Sequence, residues 1–171
     1  GEASLYGAII GMSQNFVGSN NINLLHPSGQ FGSRLMGGKD SAAPRYIFTY
    51  LEELTRVLFN PIDDNILYYN IEDGNTIEPY YYLPIIPTIL VNGSVGIGTG
   101  YSCNIPCFNP LDIIANVRAK INNEELTLMV PWYNNFKGNI ITDPKKPGKY
   151  NTYGVIKRLD AKHIQISELP I

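Results

Sequence analysis

The chain has 171 residues, of which 44% are hydrophobic and 16% are charged. This length allows one domain or two small ones with a real core, and no apolar run is long enough to cross a membrane. The formal net charge of −2 excludes a uniformly basic nucleic-acid-binding protein.

The first predicted element is a helix. Apolar side chains recur at helical spacing from Leu5 to Phe16, through Ala8, Ile9 and Met12, and Gly18 follows as a stop signal. This helix could be a plain surface helix, or its other face could meet a partner. The residues that fall off the stripe, and are free to face a partner, are Ser4, Tyr6, Ile10 and Ser13.

Residues 18 to 45 are rich in Gly, Asn, Ser and Pro, which predicts a long loop. Lys39 and Arg45 lie near its end, and Tyr46 follows directly. A tyrosine hydroxyl can act as a covalent nucleophile, although a pKa near about 10 leaves it weak until cations stabilise the phenolate. An arginine fork suits a phosphate, so this trio indicates chemistry on a phosphodiester. The alternative is that Tyr46 merely opens a partly buried strand over 46–50.

The middle of the chain predicts short elements of both kinds. Leu51, Leu54, Val57 and Leu58 have helical spacing, and Asn60-Pro61 ends that helix. Two strands follow at about 66–71 and 76–83, joined by a turn at 72–75. Residues 88–91 then form a short apolar run that is typical of a strand.

The glycine-rich segment 92–100 superficially matches a dinucleotide-binding turn. Residues 101–106 are a poor helix start, and that motif needs a helix directly after its glycines, so the match fails. What remains is a tight loop in which small residues flank Ile97. Ile97 is either a wedge between base pairs or a side chain tucked into the core.

The last third of the chain predicts one helix and then several strands. The helix runs from Pro110 to about Ile121, with Asn109 as its cap and an apolar side formed by Ile113, Ile114, Val117 and Ile121. Several strands follow from about residue 137, and residues 164–168 alternate like a half-buried strand. Residues 137–162 hold seven basic side chains against two acidic ones, which is either a face for phosphates or an ordinary solvated hairpin.

The sequence indicates neither a metal site nor a catalytic histidine. Cys103 and Cys107 have no further cysteine or nearby histidine, so they cannot supply four zinc ligands, and free thiols in a reducing compartment are expected. His26 and His163 are far apart, which favours a surface or loop position for each. Because the chain lacks an initiator methionine and a basic leader, we expect it to begin inside a longer protein.

Several short motifs occur in order over nearly the whole chain. They are QNFVGSNN at 14–21, GQFG at 29–32, GGKDSA at 37–42, PRY at 44–46, NG at 92–93, GIGTG at 96–100 and ISELP at 166–170. Together they resemble the DNA cleavage core of type IIA DNA topoisomerases, most closely the eukaryotic and large-DNA-virus topoisomerase II branch. The bacterial gyrase A branch shares the glycine loop and the Arg-Tyr pair, but its shorter connection between the first helix and the tyrosine disfavours it.

This resemblance implies an α+β fold that is a fragment of a larger multidomain chain. Residues 1–83 would be the C-terminal part of a winged-helix domain, and residues 84–171 the β-rich start of a tower domain. Tyr46 matches the family nucleophile, which attacks a backbone phosphate and becomes linked to the 5′ end of the DNA. Arg45 matches the neighbour that stabilises charge on the phosphoryl oxygens in the transition state.

The resemblance also implies four DNA-binding residues. Ile97 matches the wedge that intercalates and helps to bend the duplex. Lys39 matches a loop lysine that approaches the DNA backbone, and Ser4 and Tyr6 fall on the helix that the family presses against DNA. No metal ligand is implied among these residues.

For the whole enzyme the resemblance implies Mg²⁺ and ATP as cofactors, a homodimer, double-stranded DNA as the partner and no membrane. The acidic cluster that binds Mg²⁺ and the ATPase region are not among these residues, so we expect the fragment to bind neither cofactor and to be inactive alone. The location would be the nucleus if the source is eukaryotic, or the host cytoplasm or virus factory if it is viral. The alternatives are a non-catalytic DNA-bending or scaffold module of the same fold and a protein of the bacterial gyrase A type.

Overall fold

The structure, a computed structural model, describes all 171 residues. The helices are α1 (Glu2–Ser13), α2 (Thr55–Leu58), α3 (Thr88–Asn92) and α4 (Pro110–Ile121). The strands are β1 (Tyr69–Glu72), β2 (Asn75–Pro79), β3 (Ser94–Gly98), β4 (Tyr101–Ile105), β5 (Asn139–Thr142), β6 (Tyr150–Tyr153), β7 (Val155–Arg158) and β8 (Ile164–Glu168). Two 3-10 helices cover Pro44–Tyr46 and Pro61–Ile66. None of the four α-helices has both the length and the apolarity needed to cross a bilayer.

Each strand pairs only with its neighbour along the chain, which gives four separate two-stranded antiparallel sheets. This mixture of helices and small sheets confirms the predicted α+β class. In the β1–β2 hairpin Glu72 pairs with Asn75 across Asp73-Gly74, and both turn residues have positive φ, 49° and 79°. A two-residue turn of this kind needs positive φ twice, which explains why Asp-Gly predicts it correctly.

Three predicted strands differ from the observed ones. β1 starts at Tyr69 because residues 61–66 form a 3-10 helix capped by the Asn60 side chain. β2 ends at Pro79, which has no amide proton to donate to a ladder. β8 occupies its predicted residues, but Ile164 and Ile166 are exposed, so the alternation does not mark a half-buried strand.

Helix α4 forms over the predicted residues. The Asn109 side chain accepts a hydrogen bond from the Leu111 amide at 3.0 Å, as a helix cap does. Ile113 is fully buried, and Ile114 and Val117 pack beside it. Ile121, which was predicted on the same apolar side, is exposed because the last turn of the helix runs past the core.

A small apolar core joins the two predicted halves of the chain. It consists of Leu58, Ile86, Val91 and Ile113. Leu58 comes from before residue 83 and the others from after it, while the domain boundary itself stays a prediction. The prediction of a strand at 88–91 was wrong, because Pro87 accepts the amide of Leu90 and starts α3. Periodicity cannot separate a short buried helix from a strand.

The face assigned to α1 was also wrong. Leu5 and Met12 on the apolar stripe are exposed, and the helix ends before Phe16. Ser13, predicted to face a partner, has no exposed surface. Its hydroxyl donates to the Ile9 carbonyl at 2.8 Å, which satisfies the group where it is buried. Helical spacing identifies the helix but not the face that meets the rest of the chain.

The segment after Tyr46 is not the strand predicted at 46–50, and the helix predicted from Leu51 is shorter than expected. Pro44–Tyr46 is a 3-10 turn, and the chain then runs extended, with Phe48 bridging Ser28 and Leu51 bridging Leu25. Since the backbone of Leu51 is used in that bridge, helix α2 starts only at Thr55.

The side chain of Asn21 ties three distant segments together. Its amide nitrogen donates to the carbonyls of Val91, Phe108 and Trp132 at 2.9 to 3.3 Å. Its oxygen accepts the amide of Asn134 at 2.8 Å. Because Asn21 is buried, water could not take over these hydrogen bonds if its side chain were lost.

Replacing this side chain should loosen all three segments at once. We expect Asn21→Ala to cost about 1–3 kcal/mol for each buried polar group left without a partner. Hydrogen exchange measured by mass spectrometry should then accelerate for residues 90–93, 107–109 and 131–135. Asn65→Ala, which removes one exposed hydrogen bond to Ile62, is the control and should leave those segments protected. Unchanged exchange in Asn21→Ala would contradict this account.

Candidate active site

Arg45 and Tyr46 stand side by side on the 3-10 turn. The turn is closed by the Tyr46 amide, which donates to the Ala43 carbonyl at 2.9 Å, and Pro44 fixes its start. The Arg45 Cζ atom lies 5.0 Å from the centroid of the Tyr46 ring, which is within cation–π range. Both side chains are exposed, Tyr46 to 68%, and neither makes a hydrogen bond or an ion pair within the chain. The pair is therefore accessible to an external ligand.

The loop before this turn, residues 29–42 (the glycine loop), is held together by Asp40. The Asp40 carboxylate accepts the amide and the hydroxyl of Ser33, each at 2.7 Å, and the side-chain amide of Gln30 at 3.3 Å. The Ser33 hydroxyl, then the Ser33 amide, lowers the pKa of Asp40 below its ordinary range. An ionised carboxylate thus forms the centre of the loop.

Gln14 closes the glycine loop from the end of α1. Its side-chain nitrogen donates to the Phe31 carbonyl at 2.9 Å and to the Gly38 carbonyl at 3.2 Å. Gly32 and Gly38 have φ of +111° and +81°, and a Cβ on Gly32 would lie 2.7 Å from the Gly38 backbone. The backbone at Gly32 thus lies closer to the backbone at Gly38 than a residue with a Cβ atom would allow.

Sequence reasoning did not single out Gln14 or Asp40, although both lie within the quoted motifs. Their role is to hold the loop rather than to meet a ligand, and only the hydrogen bonds in the structure reveal it. The signal available in the sequence was weak: a carboxylate followed by small residues favours an internal turn bond.

The other predicted site residues stand apart from the Arg45–Tyr46 pair. Lys39 is exposed on the glycine loop and forms no ion pair. Ile97 lies on the separate β3–β4 hairpin, opposite Ser102, and is 93% exposed. Ser4 and Tyr6 are exposed on α1, where the Tyr6 hydroxyl bonds to the Glu2 carboxylate. No hydrogen bond joins any of them to the pair.

The exposure of Ile97 excludes one of the two interpretations of that residue, and the wedge stays a prediction. The side chain is not tucked into the core. Gly93, with φ of +70°, begins the hairpin where an added Cβ would lie 2.6 Å from the Ile105 carbonyl. The hairpin is thus anchored at its base and presents an isoleucine between Gly96 and Gly98 to solvent.

The residues of this chain do not fit a magnesium site. Nowhere do three or more His, Cys, Asp or Glu side chains converge in a way that could hold a metal ion. Asp40, the acidic residue of the glycine loop, already binds Ser33 and Gln30. Cys103 and Cys107 are free thiols, and burial raises the pKa of Cys107.

Known proteins match this chain over its whole length, and the matches place it in one family. The chain belongs to the DNA gyrase/topoisomerase IV A-subunit family, whose model matches residues 1–171. It is 57% identical to DNA topoisomerase 2 of Plasmodium falciparum (isolate K1 / Thailand) and 56% identical to that of Arabidopsis thaliana. Both alignments cover the whole of this chain and 12% of the relative.

A solved structure agrees with these relatives. The crystal structure of the Plasmodium falciparum topoisomerase II DNA-binding, cleavage and re-ligation domain matches this chain with a TM-score of 0.93 at 57% identity. The match covers all of this chain and 23% of that one. The predicted resemblance to a eukaryotic topoisomerase II cleavage core is thereby confirmed.

The packing of the glycine loop can be tested with two neighbouring glycines. Both Gly37 and Gly38 have positive φ, 59° and 81°, but only a Cβ on Gly38 would meet an atom, the Gln14 nitrogen at 2.5 Å. We expect Gly38→Ala to cost about 1–3 kcal/mol more than Gly37→Ala, because it displaces Gln14 from two carbonyls. Thermal unfolding followed by circular dichroism measures the difference. Equal melting temperatures for the two variants would show that Gln14 does not clamp the loop.

The contribution of the Asp40 carboxylate to stability should be lost in acid. Folding lowers the pKa of Asp40, so its contribution is present above the unfolded value of about 3.9 and disappears as the pH falls through the lower folded value. We expect the melting-temperature gap between the native protein and Asp40→Asn to be constant from pH 7 to about 5 and to narrow below about pH 4. A gap of the same size at every pH would mean that the charge of Asp40 is irrelevant.

Proposed function

We propose that this chain is the nucleophile-bearing part of an ATP-hydrolysing type IIA DNA topoisomerase. The enzyme makes a transient double-strand break, passes a second duplex through it and religates the ends. The observation that carries the proposal is the exposed and unpaired Arg45–Tyr46 turn in a chain of this family. A surface tyrosine and arginine with no hydrogen bond or ion pair inside the chain are free to meet a phosphate of the DNA backbone.

The chemistry proposed for the pair is a reversible phosphoryl transfer. The Tyr46 hydroxyl loses its proton as its oxygen attacks the phosphorus of one phosphodiester. The new O–P bond links the tyrosine to the 5′ end, the bond from phosphorus to the 3′ oxygen breaks, and the 3′ oxygen takes up a proton and leaves as a hydroxyl. Negative charge grows on the phosphoryl oxygens in the transition state, where the Arg45 fork neutralises it. Since Arg45 lies over the Tyr46 ring, one phosphate can meet both groups.

The remaining proposed DNA contacts bend and hold the duplex. Ile97 inserts between base pairs, and its exposure on a short hairpin supports this role. Lys39 approaches the backbone as an uncompensated charge on the glycine loop, and Ser4 and Tyr6 lie on the exposed surface of α1. Unstacking a base step costs a few kcal/mol, which the added backbone contacts offset.

Cofactors and assembly belong to the whole enzyme. Mg²⁺ and ATP would be used by the full protein, which acts as a homodimer with one Tyr46 for each strand of the double-stranded DNA. The chain spans only 12% of the curated relatives, and its own side chains offer no set of magnesium ligands. The relatives are eukaryotic, which supports the nucleus rather than a virus factory as the location. Within this assembly, residues 1–83 are the winged-helix part and residues 84–171 the tower part.

The proposal is tested by removing one oxygen atom. In the full-length protein, Tyr46→Phe should abolish the denaturant-resistant protein–DNA adduct and leave the Kd for DNA within about twofold, because the hydroxyl is the nucleophile and not a main binding contact. Tyr50→Phe is the matched control, since Tyr50 is also an exposed tyrosine but stacks on His26. It should form adducts like the native protein.

Two results would refute the proposal. Adducts retained by Tyr46→Phe would show that another residue is the nucleophile. A native protein that binds DNA in a salt-sensitive way but never forms an adduct would favour the non-catalytic scaffold instead.

A further inference from the structure

One ion pair joins the glycine loop to the far end of the chain. The Nη1 atom of Arg34 contacts the Oε1 atom of Glu168, and its Nη2 atom donates to the Leu169 carbonyl at 2.8 Å. The two nitrogens of one guanidinium thus bind two acceptors at the end of β8. Such a fork fixes direction as well as distance, which a lysine could not do.

Glu168 is the fixed partner in this contact. It is only 7% exposed, and its carboxylate also accepts the amides of Lys137 at 3.0 Å and Leu169 at 3.1 Å. The Lys137 amide, followed by Arg34, lowers the pKa of Glu168, so the group is held ionised. Leaving a buried carboxylate without its cation costs free energy, and this favours the Arg34–Glu168 ion pair.

The Arg34–Glu168 pair differs from the second ion pair that contains an arginine. Arg56 binds Asp64, eight residues further along the chain, and both side chains are well exposed. Arg34 instead connects a loop next to the Arg45–Tyr46 turn with a strand end 134 positions away. Among all the ion pairs, only this one links the loop to the later half of the chain.

A short series of hydrogen bonds runs from Arg34 to the reactive turn. Its neighbour Ser33 binds Asp40 through both the amide and the hydroxyl. The Asp40 carboxylate also accepts a hydrogen bond from the side-chain amide of Gln30. The backbone carbonyl of Gln30 accepts the Ala42 amide at 2.9 Å. Ala42 lies two residues before Pro44, where the turn begins.

We propose that Arg34 is a positioning residue for DNA cleavage, which anchors the glycine loop to Glu168 and so sets where Lys39 and the Arg45–Tyr46 turn meet the scissile phosphate. The inference rests on the proposed function and adds a residue that does not touch DNA. A displacement of about 1 Å at a reacting group can cost about 100-fold in rate, so releasing the loop should slow the chemical step.

The test separates slow chemistry from loss of folded enzyme. Full-length Arg34→Ala is mixed with a labelled duplex that is nicked close to the cleavage site, so that religation is blocked, and adduct formation is followed in a single turnover. We expect the rate constant to fall by about 10- to 100-fold, with an unchanged final amount of adduct and a Kd for DNA within about twofold. Arg34→Lys, which keeps the charge but not the fork, should fall in between.

Two further variants serve as a control and as a second way to break the ion pair. Arg56→Ala removes an arginine of the exposed pair and should retain the native rate. Glu168→Gln keeps the size of the side chain but removes the charge that holds Arg34, and it should slow cleavage in the same direction, which also covers the case where Arg34→Ala does not fold.

The outcomes have distinct meanings. A reduced amount of adduct formed at the native rate constant would mean that Arg34 only supports folding, and this would overturn the inference. A native rate constant in both Arg34→Ala and Glu168→Gln would overturn it as well. Failure of the proposed function looks different, because the native protein itself would then form no Tyr46 adduct.

Discussion

The buried amide of Asn21 is the interaction on which the rest of the structure depends. Only 12 of the 171 residues are buried, so the apolar core is too small to define the path of every segment. The side-chain nitrogen of Asn21 has two hydrogens and donates to three carbonyls, so one hydrogen is shared between two of them. The side-chain oxygen accepts a hydrogen bond from the Asn134 amide. Each such bond contributes about 1 kcal/mol net, but leaving its buried partner unpaired costs more. The hydrogen bonds of Asn21 therefore favour one packing of these segments over other packings of the same chain.

The same stretch of sequence holds both proposed functional loops. At its start, Gln14 binds the glycine loop that leads to Tyr46. At its end, Asn21 binds the Val91 carbonyl, and the next residue, Ile22, exchanges two backbone hydrogen bonds with the side chain of Asn92 at the base of the Ile97 hairpin. Residues 14–22 thus hold the Tyr46 turn and the Ile97 hairpin, the proposed nucleophile and wedge, on a common support. Apolar side chains at Gln14 and Asn21 would leave these carbonyls without donors, which costs free energy where the groups are buried.

The sequence predicted the elements whose cause is local. Helix α4 carries its own cap in Asn109, and the β1–β2 turn carries two residues that tolerate positive φ, so both were correct. Elements that depend on distant partners were not predictable in this way. The burial of Ser13 depends on the side of α1 that meets Thr49, and the short α2 depends on a bridge to Leu25. For the site, the motifs identified Arg45, Tyr46 and Ile97, whose exposure agrees with the proposed roles, but they could not reveal the hydrogen bonds that hold them.

Within residues 29–46 the fold separates charged residues that are paired inside the chain from charged residues that are free to meet a ligand. Arg34 and Asp40 are charged, and both bind partners inside the chain. Arg45 and Lys39 are charged as well, but they have no internal ion pair and face solvent. A cation that is already paired with a carboxylate offers little to a phosphate, whereas an unpaired one retains its full attraction. Residue type alone cannot distinguish the two arginines, and it is the position of Glu168 that makes Arg34 a support and leaves Arg45 free.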